Sequence, residues 1–160
     1  IALAISAKIK IPFYPVPMTM QTFIVLFLGL SFGYKIGLAT ISLYLLEGIV
    51  GLPVFSNSPE RGVGLTYFTG PTMGYLIGFL SASFFASKIY ENDNYFLIFI
   101  KLILSVSTIY ILGILWLGFI LGWDKPIFQL GVKPFLLAEL FRIVLLSTLA
   151  KKILKFRKFI

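Results

Sequence analysis

Cysteine and histidine are absent from this 160-residue sequence, and acidic residues are scarce, six against fourteen lysines and arginines. The first absence excludes disulfides and thiolate chemistry. The two together remove most transition-metal sites and every histidine-based catalytic triad. No two of the six carboxylates stand at a spacing that suits paired acid–base catalysis, so an enzyme is the least favoured class and no cofactor is expected. A nucleotide site is missing too: "GLSFGYKI", residues 29–36, looks like a phosphate loop but lacks the Gly-Lys-Ser/Thr ending.

What remains is hydrophobic. Such residues make up 59% of the chain and charged ones 12%, with a mean hydropathy of +0.99. Apolar runs of fifteen or more residues follow one another with short Gly, Pro and charged punctuation, so the solvent is a lipid bilayer. The composition predicts an all-α polytopic membrane protein of about six transmembrane helices, with residues 1–160 forming one domain. Five of the basic residues, Lys151, Lys152, Lys155, Arg157 and Lys158, crowd the last ten positions. A basic cluster directly after an apolar span reads as a cytoplasmic anchor rather than a nucleic-acid arm.

The first apolar segment, from Ile1 to about Ile11, has neither an initiating methionine nor a charged leader, and is expected to be a shortened helix. It ends at "IPFYPVP", where three prolines impose an ordered non-helical loop. The second and third segments, from about Met18 to Phe32 and from Ile36 to about Gly51, are joined by "GYK" as a hairpin. The polar loop "SNSPERGVGLTYFTG" follows, and Gly70-Pro71 opens the fourth segment, to about Ile89. Gly74, Gly78, Ala82 and Ala86 recur along it every fourth residue, a small-residue ridge for close helix packing. The fifth segment spans roughly Tyr95 to Leu121; "GWDKPIFQLGVK" is expected to be a polar loop, and the sixth runs from Pro134 into the basic tail.

If the tail is cytoplasmic, six spans place Lys35 and Lys88 on its side and Lys8, Lys10, Arg61, Lys125 and Lys133 outside. Lys101 is expected to snorkel back to the headgroups. The Pro-rich loop, the long polar loop and the start of the sixth segment then converge on one outer mouth. Glu139 and Arg142, three residues apart in "LLAELFRIVLLSTLA", share a helix face and look toward that mouth from roughly 8 to 12 Å below Pro134, at ~1.5 Å per residue. Intramembrane charges of this kind face an interior or a cavity and point to function, the alternative being a structural ion pair. Glu47 is a third candidate, with a solvated carboxylate as its plainer role. Thr19, Gln21 and Thr22 open the second helix, where capping is the plainer role. Tyr44, Tyr67 and Tyr75 are able to line a pocket, though interfacial tyrosines are common; Trp116 and Trp123 read as interfacial belt residues.

The segments "PVPMTMQT", "LYLLEGIVGLPVF", "GPTMGYLIGF" and "KPFLLAELFRI", in that order and spacing, resemble the BioY family, the biotin-capturing membrane subunits of energy-coupling-factor (ECF) transporters. The resemblance covers nearly the whole chain. It implies a six-helix S-component in the cell membrane that binds biotin from outside and delivers it with an ECF transmembrane coupling subunit and ATPase subunits. The family's Asp and Lys three apart correspond here to Glu139 and Arg142, and Gly70, Pro71 and Thr72 join the expected substrate-binding set with Thr19, Gln21, Tyr44, Glu47, Tyr67 and Tyr75. Partner docking in the family runs through small residues of the first helix, which places it here at Ala2 and Ser6, with Ala4 and Ala7 nearby. Two ligand poses stay open: Arg142 holds the biotin carboxylate, or Glu139 accepts from the ureido N–H. A carrier of another small anion or vitamin working without ATPases, and a non-transport assembly protein, are the other readings that the residues permit.

Overall fold

The computed structural model describes residues 1–12 and 14–157; Phe13 of the proline loop and Lys158 of the basic tail lie outside them. In chain order the elements are α1 (Ala2–Lys8), β1 (Lys10–Ile11), β2 (Met18–Thr19), α2 (Gln21–Ile49), α3 (Leu65–Phe68), α4 (Met73–Ala86), α5 (Tyr95–Leu121), α6 (Ile127–Gly131), a 3₁₀ turn (Lys133–Phe135) and α7 (Leu136–Phe156). α2 is two arms, 21–32 and 34–49, broken at Gly33, whose φ of 72° and ψ of −177° are open to glycine but strained for other residues. The arms fold back on each other. A Cβ placed on Gly37 would sit 3.6 Å from Gly29 Cα, whereas residues eight apart in a straight helix are ~12 Å apart at 1.5 Å per residue. With the arms counted separately, α1, α4, α5 and α7 complete the six expected segments.

The exterior is apolar: Leu137, Phe119 and Phe96 are 81%, 77% and 74% exposed, which suits lipid contact and not water. Inside, small residues let the helices touch. The expected ridge on α4 is a packing face, and its direction follows from helix geometry. Steps of four residues advance ~40° beyond a full turn at 3.6 residues per turn, so the ridge winds around α4. Gly78 meets Ile109 of α5, where an added Cβ would stand 2.7 Å from the Ile109 Cα, and Gly74 is equally close to Leu112 and Trp116. By Ala86 the ridge has turned to Gly29 of the α2 hairpin, where a Cβ would lie 3.0 Å from that of Ala86.

Three sequence expectations change. The proline loop is closed by a two-residue antiparallel ladder, Lys10 opposite Thr19 and Ile11 opposite Met18, because the prolines bring its ends together and leave both flanks extended. The stretch expected to be a polar loop before the last helix contains α6, its Ile127 buried in the core, and the last helix starts at Leu136 and not at Pro134, after a 3₁₀ turn that buries Phe135. α1 buries Leu3, Ser6 and Ala7 against the rest of the chain. Ser6, 4% exposed, and Ala7, 0% exposed, therefore do not lie on a free docking face, while Ala2 is exposed and Ala4 is partly buried against the core. α1 turns one i, i+3, i+4 stripe inward, and Ser6 and Ala7 belong to it.

The two ends of the bundle are tied differently. At one end Arg157 lies over Gly33 and donates through Nη1 to Ser87 O at 2.8 Å, joining the last helix to the hairpin turn and to the end of α4. Lys101 reaches the same end as expected, its Nζ 2.6 Å from Asp93 Oδ2 and 3.2 Å from Lys88 O. At the other end the first two cations clamp the long loop. Lys8 Nζ donates to Phe55 O and Ser58 O at 2.8 and 2.7 Å, and Lys10 Nζ to Ser56 O at 2.6 Å. Arg61 Nη1 donates to Pro15 O at 3.1 Å, so the proline loop and the long loop meet over one mouth.

Candidate binding site

Beneath that mouth lies a cavity of about 530 Å³, its opening included. Val16, Pro17, Met18 and Thr19 from the proline loop and β2 form one side, Gln21 and Thr22 the start of α2, and Ser56 and Tyr67 the long loop. Thr72, Tyr75, Leu76 and Phe79 come from α4 and its entry, Ile109 and Tyr110 from α5, and Phe135, Glu139 and Arg142 from the 3₁₀ turn and the start of α7. Six parts of the chain thus place apolar walls around a few polar groups.

Glu139 and Arg142 are 5% and 6% exposed, so the pair is inside the protein and not at a solvated surface. Arg142 Nη1 donates to Glu139 Oε1, and the Tyr110 hydroxyl donates to the same oxygen at 3.2 Å. The Thr22 hydroxyl also approaches this carboxylate. Oε2 is buried and has no hydrogen-bond partner among the described residues. A buried acceptor in that condition costs about 1–3 kcal/mol, more when charged, which a donor delivered by a ligand would recover.

The remaining candidates divide into those at the cavity and those behind it. Thr19, Gln21, Tyr67, Thr72 and Tyr75 line it with the ion pair. Tyr44 stands one step back. Thr19 Oγ1 donates to Gln21 Oε1 at 3.2 Å, Gln21 Nε2 donates to the Tyr44 hydroxyl at 2.7 Å, and Tyr44 donates to Val54 O at 3.2 Å, so a relay of hydrogen bonds holds the mouth of α2 to its far arm. Gly70 and Pro71 are outside the lining, and Gly70 O instead accepts from Trp116 Nε1 at 2.9 Å. Trp116 is therefore more than a belt residue, since its indole fixes the entry to α4. Glu47 is not brought to the cavity: from the second arm of α2 it borders a separate recess with Ile1, Ala2 and Thr40, beside the first helix.

Two features were not read from the sequence. Phe55, 1% exposed, stacks on Tyr67 with centroids 4.7 Å apart and meets Tyr44 edge-on at 5.3 Å. Its ring occupies the space over Gly48, where any side chain would overlap it, so "EGIVGLPVF" carries a paired glycine and aromatic plug. Tyr110 is the second. In an apolar helix it looks like any interfacial tyrosine, and only folding sets its hydroxyl against Glu139.

An all-helical bundle with a lipid-facing exterior, enclosing a cavity floored by a buried acid–base pair, defines a membrane protein built to hold a small polar molecule. The chain belongs to the BioY family, whose sequence profile matches residues 1–159. It is 32% identical over 150 residues to the "Probable biotin transporter BioY" of Pyrococcus horikoshii, covering 94% of this chain and 88% of the relative. It is also 32% identical over 154 residues to the "Biotin transporter BioY" of Thermotoga maritima, covering 96% and 89%. A crystal structure of the S-component for biotin from an ECF-type ABC transporter is similar with a TM-score of 0.78 and 25% identity, over 96% of this chain and 85% of that one.

Proposed function

We propose that this protein is a biotin-uptake S-component: it captures biotin from the outer face of the cell membrane and hands it over with an ECF coupling subunit and ATPase subunits. The single observation that carries the reading is the buried Glu139–Arg142 pair at the floor of a cavity beneath the mouth, in a chain of the BioY family. The relatives named as biotin transporters and the solved biotin S-component support the ligand and the partners.

Biotin presents an apolar bicycle, a ureido group with two N–H donors and a carbonyl, and a carboxylate on a flexible chain. The pair suits the ureido edge better than the carboxylate. Arg142 is already neutralised by Glu139, and a second carboxylate placed here would stand beside the first and be repelled by it. A neutral C=O and N–H edge instead meets both signs. Arg142, with five N–H donors on its guanidinium, serves Glu139 and the ligand carbonyl together, while an N–H of the ligand donates to Glu139 Oε2. The bicycle packs on Phe79, Ile109, Tyr75 and Phe135, and the carboxylate points toward the mouth, where Lys8 and Lys10 hold the backbone beside Ser56.

Isothermal titration of the purified protein with biotin tests the reading. Saturable one-to-one binding, with no comparable heat from other vitamins, is the expected result. Binding of a different vitamin in preference to biotin would move the protein to another ligand, and no binding of any would leave the pair structural.

A further inference from the structure

We infer that Tyr110 is a positioning residue that sets which oxygen of Glu139 the ligand meets, an inference that rests on the biotin reading and goes beyond it. Each carboxylate oxygen has two lone-pair directions for donors. On Oε1 both are used, one by Arg142 Nη1 and one by the Tyr110 hydroxyl. Oε2 has no hydrogen-bond partner among the described residues and is left, with the Thr22 hydroxyl close to the carboxylate, to accept from a ligand.

The Tyr110 ring is held independently of any ligand. It lies edge-on to Tyr75, with centroids 6.1 Å apart and planes at 85°, and is tilted by 31° against Phe135 at 6.1 Å. Tyr75 is fixed in turn, because its hydroxyl donates to Gly131 O at 2.9 Å. The chain of support therefore runs from α6 through Tyr75 to Tyr110 and ends on one oxygen of Glu139. Without the Tyr110 hydroxyl, Oε1 has a free acceptor direction and the carboxylate is able to turn both oxygens onto the Arg142 fork, the geometry that arginine and carboxylate favour when nothing opposes it. That rotation would take Oε2 away from the ligand. Tyr110 thereby keeps a glutamate, with its extra rotatable bond, in a single orientation.

The test is a double-mutant cycle read by isothermal titration with biotin, using the parent, Tyr110→Phe, Glu139→Gln and the double variant. Tyr110→Phe keeps the ring and its contacts with Tyr75 and Phe135. It should weaken biotin binding by about 10- to 100-fold, the scale of one hydrogen bond to a charged group. In the Glu139→Gln background the same change should cost little, since Tyr110 acts through the carboxylate. A merely structural role for the hydroxyl would cost the same in both backgrounds and would overturn the inference, as would a Tyr110→Phe variant that binds biotin like the parent. A parent that binds no biotin at all fails earlier, at the proposed function, so the two failures are told apart by the first titration.

Discussion

Glu139 and Arg142, three residues apart on the first turns of α7, are joined through one carboxylate oxygen and buried together at the floor of the cavity. Both charges are largely withdrawn from solvent, so each depends on the other and on whatever occupies the space above. Breaking such a pair from one side typically costs about 3–5 kcal/mol, because the remaining charge is left in a poor solvent.

Arg142→Ala is therefore expected to weaken biotin binding by roughly a hundredfold or more and to lower the thermal midpoint as well. Arg142→Lys should retain part of the binding, since it keeps the charge but loses the planar fork. Titration calorimetry together with a melting curve for each variant separates the two effects. Binding by Arg142→Ala equal to that of the parent would mean that the ligand site lies elsewhere and the pair serves packing alone.

A second expectation concerns the hinge of the hairpin. An alanine at Gly33 would need a φ of 72° with an extended ψ, and its Cβ would stand 2.9 Å from the Arg157 guanidinium. Strain of that kind costs about 1–3 kcal/mol. Gly33→Ala should lower the thermal midpoint, and combining it with Arg157→Ala should recover only a minor share, because the steric conflict goes while the backbone strain stays and the bond to Ser87 O is lost. Full recovery in the double variant would show that the backbone tolerates alanine and that only the guanidinium objected.

Membrane orientation has its own test, in a chain with no cysteine of its own. The mouth of the cavity carries the exposed Glu60, and the opposite end carries the exposed Lys35 at the hairpin turn. With the basic tail cytoplasmic, a membrane-impermeant thiol reagent added to intact cells should label Glu60→Cys and leave Lys35→Cys unlabelled until the cells are opened. The reverse pattern would invert the protein and place the cavity mouth in the cytoplasm.

How far the sequence alone reaches depends on the range of the interaction that decides each feature. The sequence places the fifth segment at roughly Tyr95 to Leu121, and α5 has those bounds, since a long apolar run closed by polar residues is a local signal. Glu139 and Arg142 stood out for the same reason, as charges within such a run. The hairpin and the small-residue ridge on α4 were also legible, one from a short hinge and the other from a repeat of four. Tyr110 was not, because its role arises from α5 and α7 meeting 29 residues apart in sequence. Phe55 over Gly48 escaped likewise, its partner being visible only once the loop folds back onto α2. Glu47 is the opposite case: it is a charge in an apolar helix, yet it borders a separate recess and not the cavity.

The first helix offers the last test, because the structure separates residues that the four-residue spacing had grouped. Ala2 is exposed and Ser6 is buried, with the Ser6 hydroxyl donating to Leu3 O at 2.8 Å. A large side chain should consequently act at the two positions in different ways. Ser6→Trp overpacks a filled interior, which typically costs about 1–3 kcal/mol, and should depress the thermal midpoint and biotin binding together. Ala2→Trp adds its bulk on the outside and should leave biotin binding by the isolated protein intact. If the outward side of α1 receives the coupling subunit through close helix contact, Ala2→Trp should also abolish co-purification with the coupling and ATPase subunits, and with it ATP-dependent uptake. Normal assembly and uptake in Ala2→Trp would remove this side of α1 as the docking surface and direct the search to another exposed helix face.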